Sequence, residues 1–276
     1  MSILKKAIFL FLLFIAFDAS AQYNEVGIFL GVSRYKGELS PHLIDTKFIH
    51  PAVGIFYRHN RTRHWSWKFE FNYGRVSGDD ARQNTGYELN RNLNFYSDIF
   101  ELTFAYEFNF FPFETGNDRY PFTPYIFSGL TMFYFNPKTV VNGSVVRLQP
   151  LGTEGEMPYN LVTFAIPIGG GFKINTGSVS IALQVSVRRT YTDYLDDVST
   201  TYPDYNTMLA TKGPVAAYLS DPGFLRDSAL AHGILAGKQR GDPAFNDWYV
   251  FAGVTIFVRL TNFQKEFCRP FKRRRY

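Results

Sequence analysis

Asp193, Asp196, Asp197 and Ser199 crowd into the run Tyr191-Thr-Asp193-Tyr-Leu-Asp196-Asp197-Val-Ser199. Carboxylates and hydroxyls at this density are the donors that a hard, oxygen-seeking cation such as calcium takes. The spacing does not follow the EF-hand loop. Asp and Ser also cap turns by accepting from nearby backbone N–H groups, so no metal or cofactor is assigned. The four residues stand as a candidate functional cluster in the connection 192–246, about 55 residues long. Connections beyond about 12–15 residues without structure of their own are usually functional or disordered.

Other chemistry is sparse. His42, His50, His59, His64 and His232 are scattered, and none forms a ligand pair at helical spacing. No motif assembles a Ser, His and Asp constellation. Gly169-Gly170-Gly171 lacks the phosphate-loop lysine and the dinucleotide-binding spacing, so it marks a bend or a close backbone approach. Arg240-Gly241-Asp242 spells an adhesion tripeptide, but three residues recur by chance. The chain is read as non-catalytic, with no cofactor.

A second set of chemical groups recurs at every other position. In Trp65 to Gly74, Trp65, Trp67, Phe69, Phe71 and Tyr73 alternate with Ser66, Lys68, Glu70, Asn72 and Gly74. A strand sends successive side chains to opposite faces. One face is then an aromatic ladder and the other carries a cation, a carboxylate and an amide. In a soluble sandwich the apolar face would be core; in a membrane barrel it meets lipid and the polar face lines the lumen. An eight-stranded lumen is filled by side chains, where opposite charges would pair. Lys68, Glu70, Glu101, Glu107, Lys173, Arg188 and Arg259 are the candidate interior charge network.

The elements that must position these groups are eight strands, near Tyr23–Arg34, Lys47–His59, His64–Val76, Phe95–Asn109, Phe122–Phe135, Asn160–Ile174, Ser178–Tyr191 and Asp247–Leu260. Their lengths match the tilted spans of about 9–11 residues that a bilayer requires. Connections alternate between tight or intermediate (60–63 and 175–177 tight, 110–121 intermediate) and long (35–46, 77–94, 136–159, 192–246). Short inner turns and long outer loops characterise outer-membrane barrels. The expected fold is all-β: an eight-stranded antiparallel up-and-down transmembrane β-barrel with long outer loops and periplasmic termini. The fifth strand is apolar on both faces, so its inner side packs on a plug or it touches a protein neighbour. Within the last loop, helices are expected near Val215–Leu219 and Leu225–Leu235.

Ahead of the barrel, Lys5 and Lys6 precede the apolar run 7–17 and the small-residue pattern Ala19-Ser20-Ala21. This is a secretory signal over 1–21, too short for a spanning helix. The barrel region is 22–260, and 261–276 is a basic tail. The formal net charge of +5 is carried by that tail, which alone sums to +5. Its Lys272, Arg273, Arg274 and Arg275 could meet anionic headgroups or an acidic periplasmic partner. The overall basicity therefore does not argue for nucleic-acid binding. With one cysteine, Cys268, an intramolecular disulfide framework is excluded.

The run Glu25-Val-Gly-Ile-Phe-Leu-Gly31 followed by Tyr35-Lys-Gly-Glu-Leu39 resembles the first strand and loop of PorG-like outer-membrane barrels. So do Pro124-Tyr-Ile-Phe-Ser-Gly129 with Phe133-Tyr-Phe-Asn-Pro137, the aspartate-rich run 191–199, and Asp247-Trp-Tyr-Val-Phe-Ala-Gly253. The resemblance spans nearly the whole mature chain, apart from the basic tail. It implies an anchor or assembly component of the type IX secretion machinery, associated with a periplasmic ring of PorK-like and PorN-like proteins and in some cases with gliding motility. The other readings are a small-solute channel or ligand-binding barrel, and a membrane-embedded enzyme.

Overall fold

The computed structural model describes residues 22–40, 48–82, 89, 91–222 and 235–260. The expected signal, the basic tail with Lys272, Arg273, Arg274 and Arg275, and most of the helix expected over Leu225–Leu235 lie outside them. The strands run in chain order as β1 Tyr23–Lys36, β2 His50–Asn60, β3 Trp65–Asp79, β4 Asn94–Asn109 and β5 Phe122–Tyr134. A short hairpin follows, β6 Pro137–Val141 and β7 Ser144–Arg147. The last three are β8 Val162–Asn175, β9 Val179–Thr190 and β10 Trp248–Leu260.

The long strands pair antiparallel in the order β3-β2-β1-β10-β9-β8-β5-β4, and β3 pairs with β4 to close the ring. The first and last strands meet over their full length, from Asn24 opposite Leu260 to Lys36 opposite Trp248. Closure leaves the eight long strands no exposed edge to recruit another strand. The β6–β7 hairpin lies inside what reads from sequence as a plain loop. Its turn residues Asn142 and Gly143 have φ of 50° and 79°, the left-handed pair that a two-residue hairpin turn needs.

The two faces of the wall are inverted relative to a soluble protein. Outward positions hold Ile55, Ile168 and Leu183, each at least 57% exposed, and the same apolar facing continues through Phe69, Leu102 and Leu130. Inward positions hold Arg58, Lys68, Glu107 and Arg188, all fully buried. Contiguous apolar surface of this extent is not stable in water. It is the arrangement that lipid outside and a polar lumen inside stabilise. On β3, Trp65 and Tyr73 lie eight positions apart, about 26 Å along the strand at about 3.3 Å per residue, which with strand tilt suits the apolar band of a bilayer.

The fifth barrel strand is apolar on both faces because its inner side fills the lumen. Tyr125, Phe127 and Phe133 point in, and the Phe133 ring meets Tyr249 edge-on at 5.3 Å. Two glycines permit close backbone approach in the wall. A Cβ on Gly129 would strike the Phe104 carbonyl oxygen, and one on Gly171 the Leu183 carbonyl oxygen.

Both described termini and the short turns lie at one end of the barrel. The described parts of the long connections lie at the other and form a lid. Within it, α1 Tyr205–Lys212 starts at Asp204, whose side chain accepts from the Thr207 N–H, and α2 Pro214–Ser220 begins on proline. The helix expected near Val215–Leu219 is α2; α1 was not anticipated. Met208, Ala216 and Ala217 pack the two together.

Candidate functional site

The inward charges form a network that starts near the turn-side end of the lumen and runs toward the lid. Arg58 on β2 pairs with Glu25 on β1 at 2.8 Å and with Glu107 on β4 at 2.8 Å. Lys173 on β8 donates to Glu107 at 2.7 Å and to Asn109 at 2.9 Å. Lys68 lies 3.2 Å from Glu70 and donates to Gln184 at 2.9 Å. One layer nearer the lid, Arg188 clamps Glu101 through two nitrogens, at 2.7 and 3.1 Å, and Tyr249 donates to the same carboxylate at 2.7 Å. Four carboxylates thus face four cations, so the plug is formally neutral. Such groups, buried, need partners because desolvation is costly.

Of the residues expected in this network, Lys68, Glu70, Glu101, Glu107, Lys173 and Arg188 are brought together. Arg259 is not. It has the inward parity and stands opposite Glu25 in register, but its side chain pairs with Glu114 of the adjoining turn at 3.1 Å and is 39% exposed. Its guanidinium covers the Tyr23 ring at 4.6 Å. Sequence reasoning missed Glu25 and Arg58. On β1 and β2 these share a face with Phe29 and Phe56, so the polar–apolar alternation that revealed the other charges is blurred. Aromatic groups finish the filling: Phe29, Phe95, Phe133, Tyr249 and Phe251 on the lid side, and Phe56, Phe113, Tyr125 and Phe257 on the turn side.

The lid begins directly above. Tyr35, at the end of β1, puts its hydroxyl 2.5 Å from Asp196 and 2.9 Å from Asp247. Asp247 also accepts from the Leu195 N–H, and Asp196 from the Val198 N–H. Asp197 accepts from the hydroxyls of Thr153 and Tyr159 at 2.5 and 2.6 Å, with its backbone in the left-handed region at φ 69°. Ser199 gives its backbone N–H to Glu154, which pairs with Arg240 at 3.0 Å. Arg91 pairs with Asp80 at 2.7 Å and donates to the Glu38 carbonyl. The expected cluster is therefore divided. Asp197 and Ser199 tie the lid to itself, while Asp196 joins two residues that sequence spacing did not suggest, Glu38 and Asp247. Asp193 lies beside them. Arg240 and Asp242 of the adhesion-like tripeptide are likewise engaged in lid contacts, the Asp242 N–H donating to Glu38.

Burial, reinforced by neighbouring carboxylates, raises the proton affinity of this group. Glu38 is pushed up to about 7 and Asp193 to about 8. Asp196 and Asp247 stand well above the usual carboxylate range for the same cause. Desolvation likewise lifts Asp197, to about 6. Elsewhere at the lid-side ends of β2 and β3, His50 and the Ser77 hydroxyl stand 2.7 Å apart.

Solved barrels of similar outline include Ail of Yersinia pestis in complex with the heparin analogue sucrose octasulfate, at 9% identity and a TM-score of 0.42, covering 87% of this chain and 99% of that one. The N-terminal β-barrel domain of Pseudomonas aeruginosa OprF follows at 10% identity and a TM-score of 0.37, covering 87% and 100%. OprG of the same organism has 9% identity and a TM-score of 0.39, covering 87% and 98%. The fold assignment rests on the register and closure of this chain's own strands. No curated protein matches the sequence. Over residues 4–212, which take in most of the expected signal, seven of the eight barrel strands and α1, the sequence matches the family described as Domain of unknown function (DUF6089), and the chain belongs to that family.

Proposed function

We propose that this protein is an exported, integral outer-membrane barrel that serves as an anchor or assembly component of the type IX protein secretion machinery. Its termini and short turns face the periplasm and meet the PorK-like and PorN-like ring, and its lid faces outward. It catalyses no reaction. The observation that carries the reading is the neutral plug of Glu25, Arg58, Lys68, Glu70, Glu101, Glu107, Lys173 and Arg188 across the lumen. A barrel whose lumen is filled by side chains and covered by a folded lid is not built to conduct solutes. What remains available for function is its two ends and its lipid-facing wall. The sequence resemblance to PorG-like barrels supplies the secretion role.

Deleting residues 22–276 in the native host and assaying proteins in the medium tests this. Lost secretion, restored by the complementing gene, supports the anchor. Normal secretion in the deletion strain removes it.

A further inference from the structure

The lid contains one group of side chains that neither the plug nor anchoring uses. Glu38, Asp196 and Asp247 each place a carboxylate oxygen within 4.8 Å of the other two. They come from three places: the loop after β1, the loop after β9, and the residue that opens β10. Two oxygens bound to one calcium ion at about 2.4 Å lie at most about 4.8 Å apart, so the three carboxylates are spaced as ligands of a single ion.

Two further observations point to a ligand. Asp193 is only 7% exposed, yet neither of its carboxylate oxygens has a hydrogen-bond partner. The Ser199 hydroxyl lies close enough to offset part of its raised proton affinity, but does not complete a bond. The Oε2 atom of Glu38 is also buried and unpartnered. Burying bare carboxylate oxygens is unfavourable, and Asp193 adjoins the same group, since its charge acts on both Glu38 and Asp247. The Arg91 and Arg240 guanidiniums, the nearby lid cations, pair with Asp80 and Glu154. Tyr35 has one hydroxyl proton for two carboxylates.

We propose that Glu38, Asp196 and Asp247, with Asp193 as a neighbouring acid, form a calcium site that fastens the lid to the barrel ends of β1 and β10. Hard carboxylate oxygens in an irregular cage fit calcium, which accepts six to eight oxygens in flexible geometry; magnesium demands a tighter octahedron and keeps its waters. A cavity of about 50 Å³ bordered by Asp197, Thr139 and Arg240 reaches the cluster at Asp196. Binding would join segments separated by more than two hundred residues in sequence, at the point where the lid meets the wall.

The test uses the mature full-length barrel, folded in detergent micelles free of lipopolysaccharide, stripped with chelator and titrated with calcium chloride by calorimetry. D193N and D247N are titrated in parallel, with gel mobility of unheated samples confirming that each barrel is closed. The expected result is one saturable calcium site with a Kd at or below about 10⁻³ M, the range of extracellular modules. Each variant should weaken it at least about tenfold, the loss that a perturbed metal shell typically brings. Calcium should also slow trypsin cleavage within residues 192–246 of the parent and not of the variants. No saturable uptake by a closed parent barrel overturns the site. So does equal binding by the parent and both variants. A lid whose protease resistance rises in D193N and D247N and ignores calcium also overturns it, because simple relief of repulsion then explains the cluster.

Discussion

The Arg58 guanidinium lies 2.8 Å from Glu107, across the lumen from β2 to β4, with both side chains at most 1% exposed. Glu107 is the hub of the plug, since Lys173 also pairs with it at 2.7 Å and Lys68 approaches to 3.8 Å. E107Q would leave three buried cations short of their shared counter-charge. Breaking a buried pair by removing one partner costs about 3–5 kcal/mol. Urea titration of the barrel in lipid vesicles should show that loss. A change under about 1 kcal/mol would mean that the lumen is wet enough to screen the charges.

Arg259 gives the matching control. Its pair with Glu114 at 3.1 Å is at the rim and partly exposed, where ion pairs contribute about 0–1 kcal/mol. R259A should therefore shift the same urea midpoint far less than E107Q. Equal shifts would place Arg259 in the plug after all.

The filled lumen predicts silence in planar bilayers. The intact barrel should show no steady single-channel conductance. Sustained openings from purified, closed barrels would favour the small-solute channel over the anchor.

Gly171 faces the backbone of β9, where an added Cβ would strike the Leu183 carbonyl oxygen. Backbone cannot step aside as a flexible side chain can, so G171V should block closure. The expected readout is loss of the fast-migrating folded band on unheated gels. A normal folded band would show that β8 and β9 can separate without penalty.

Acidification should strip the proposed calcium. Burial holds Glu38 up at about 7 and Asp193 at about 8, so protons compete with the ion near neutrality. Metal ligands must be deprotonated, and affinity should fall by about tenfold or more between pH 8 and pH 6. Without the ion the sign reverses. Carboxylates whose pKa is raised on folding favour the folded lid when protonated, and that contribution is lost as pH rises through about 7–8. Calcium titrations at the two pH values, and proteolysis of the chelated protein across the range, check both signs; a pH-independent Kd would contradict them.

The strands were legible because each must satisfy two solvents at once. Phe69 and Glu70, or Leu183 and Gln184, stand side by side in sequence and on opposite sides of the wall, so alternation exposes the fold directly. Where the inner face is aromatic the signal fades. Phe56 beside Arg58 hid one cation of the plug, and Tyr125, Phe127 and Phe133 made β5 look apolar throughout. The hairpin β6–β7 carried its Asn142-Gly143 signal in plain sight, but its short strands fell inside an expected loop. The acid cluster was half legible, since Asp193 and Asp196 stand in the dense run 191–199. Its members Glu38 and Asp247 lie more than two hundred positions apart, and only the pairing of β1 with β10 brings them together. The same local density also drew in Asp197 and Ser199, which satisfy lid backbone and hydroxyl groups.

The anchoring role is tested most directly by recovering an affinity-tagged, complementing copy from gently solubilised native membranes and identifying what comes with it. The account predicts co-purification of the PorK-like and PorN-like periplasmic ring proteins, absent from a control carrying an unrelated tagged outer-membrane barrel. A complementing barrel recovered without either ring protein would contradict it.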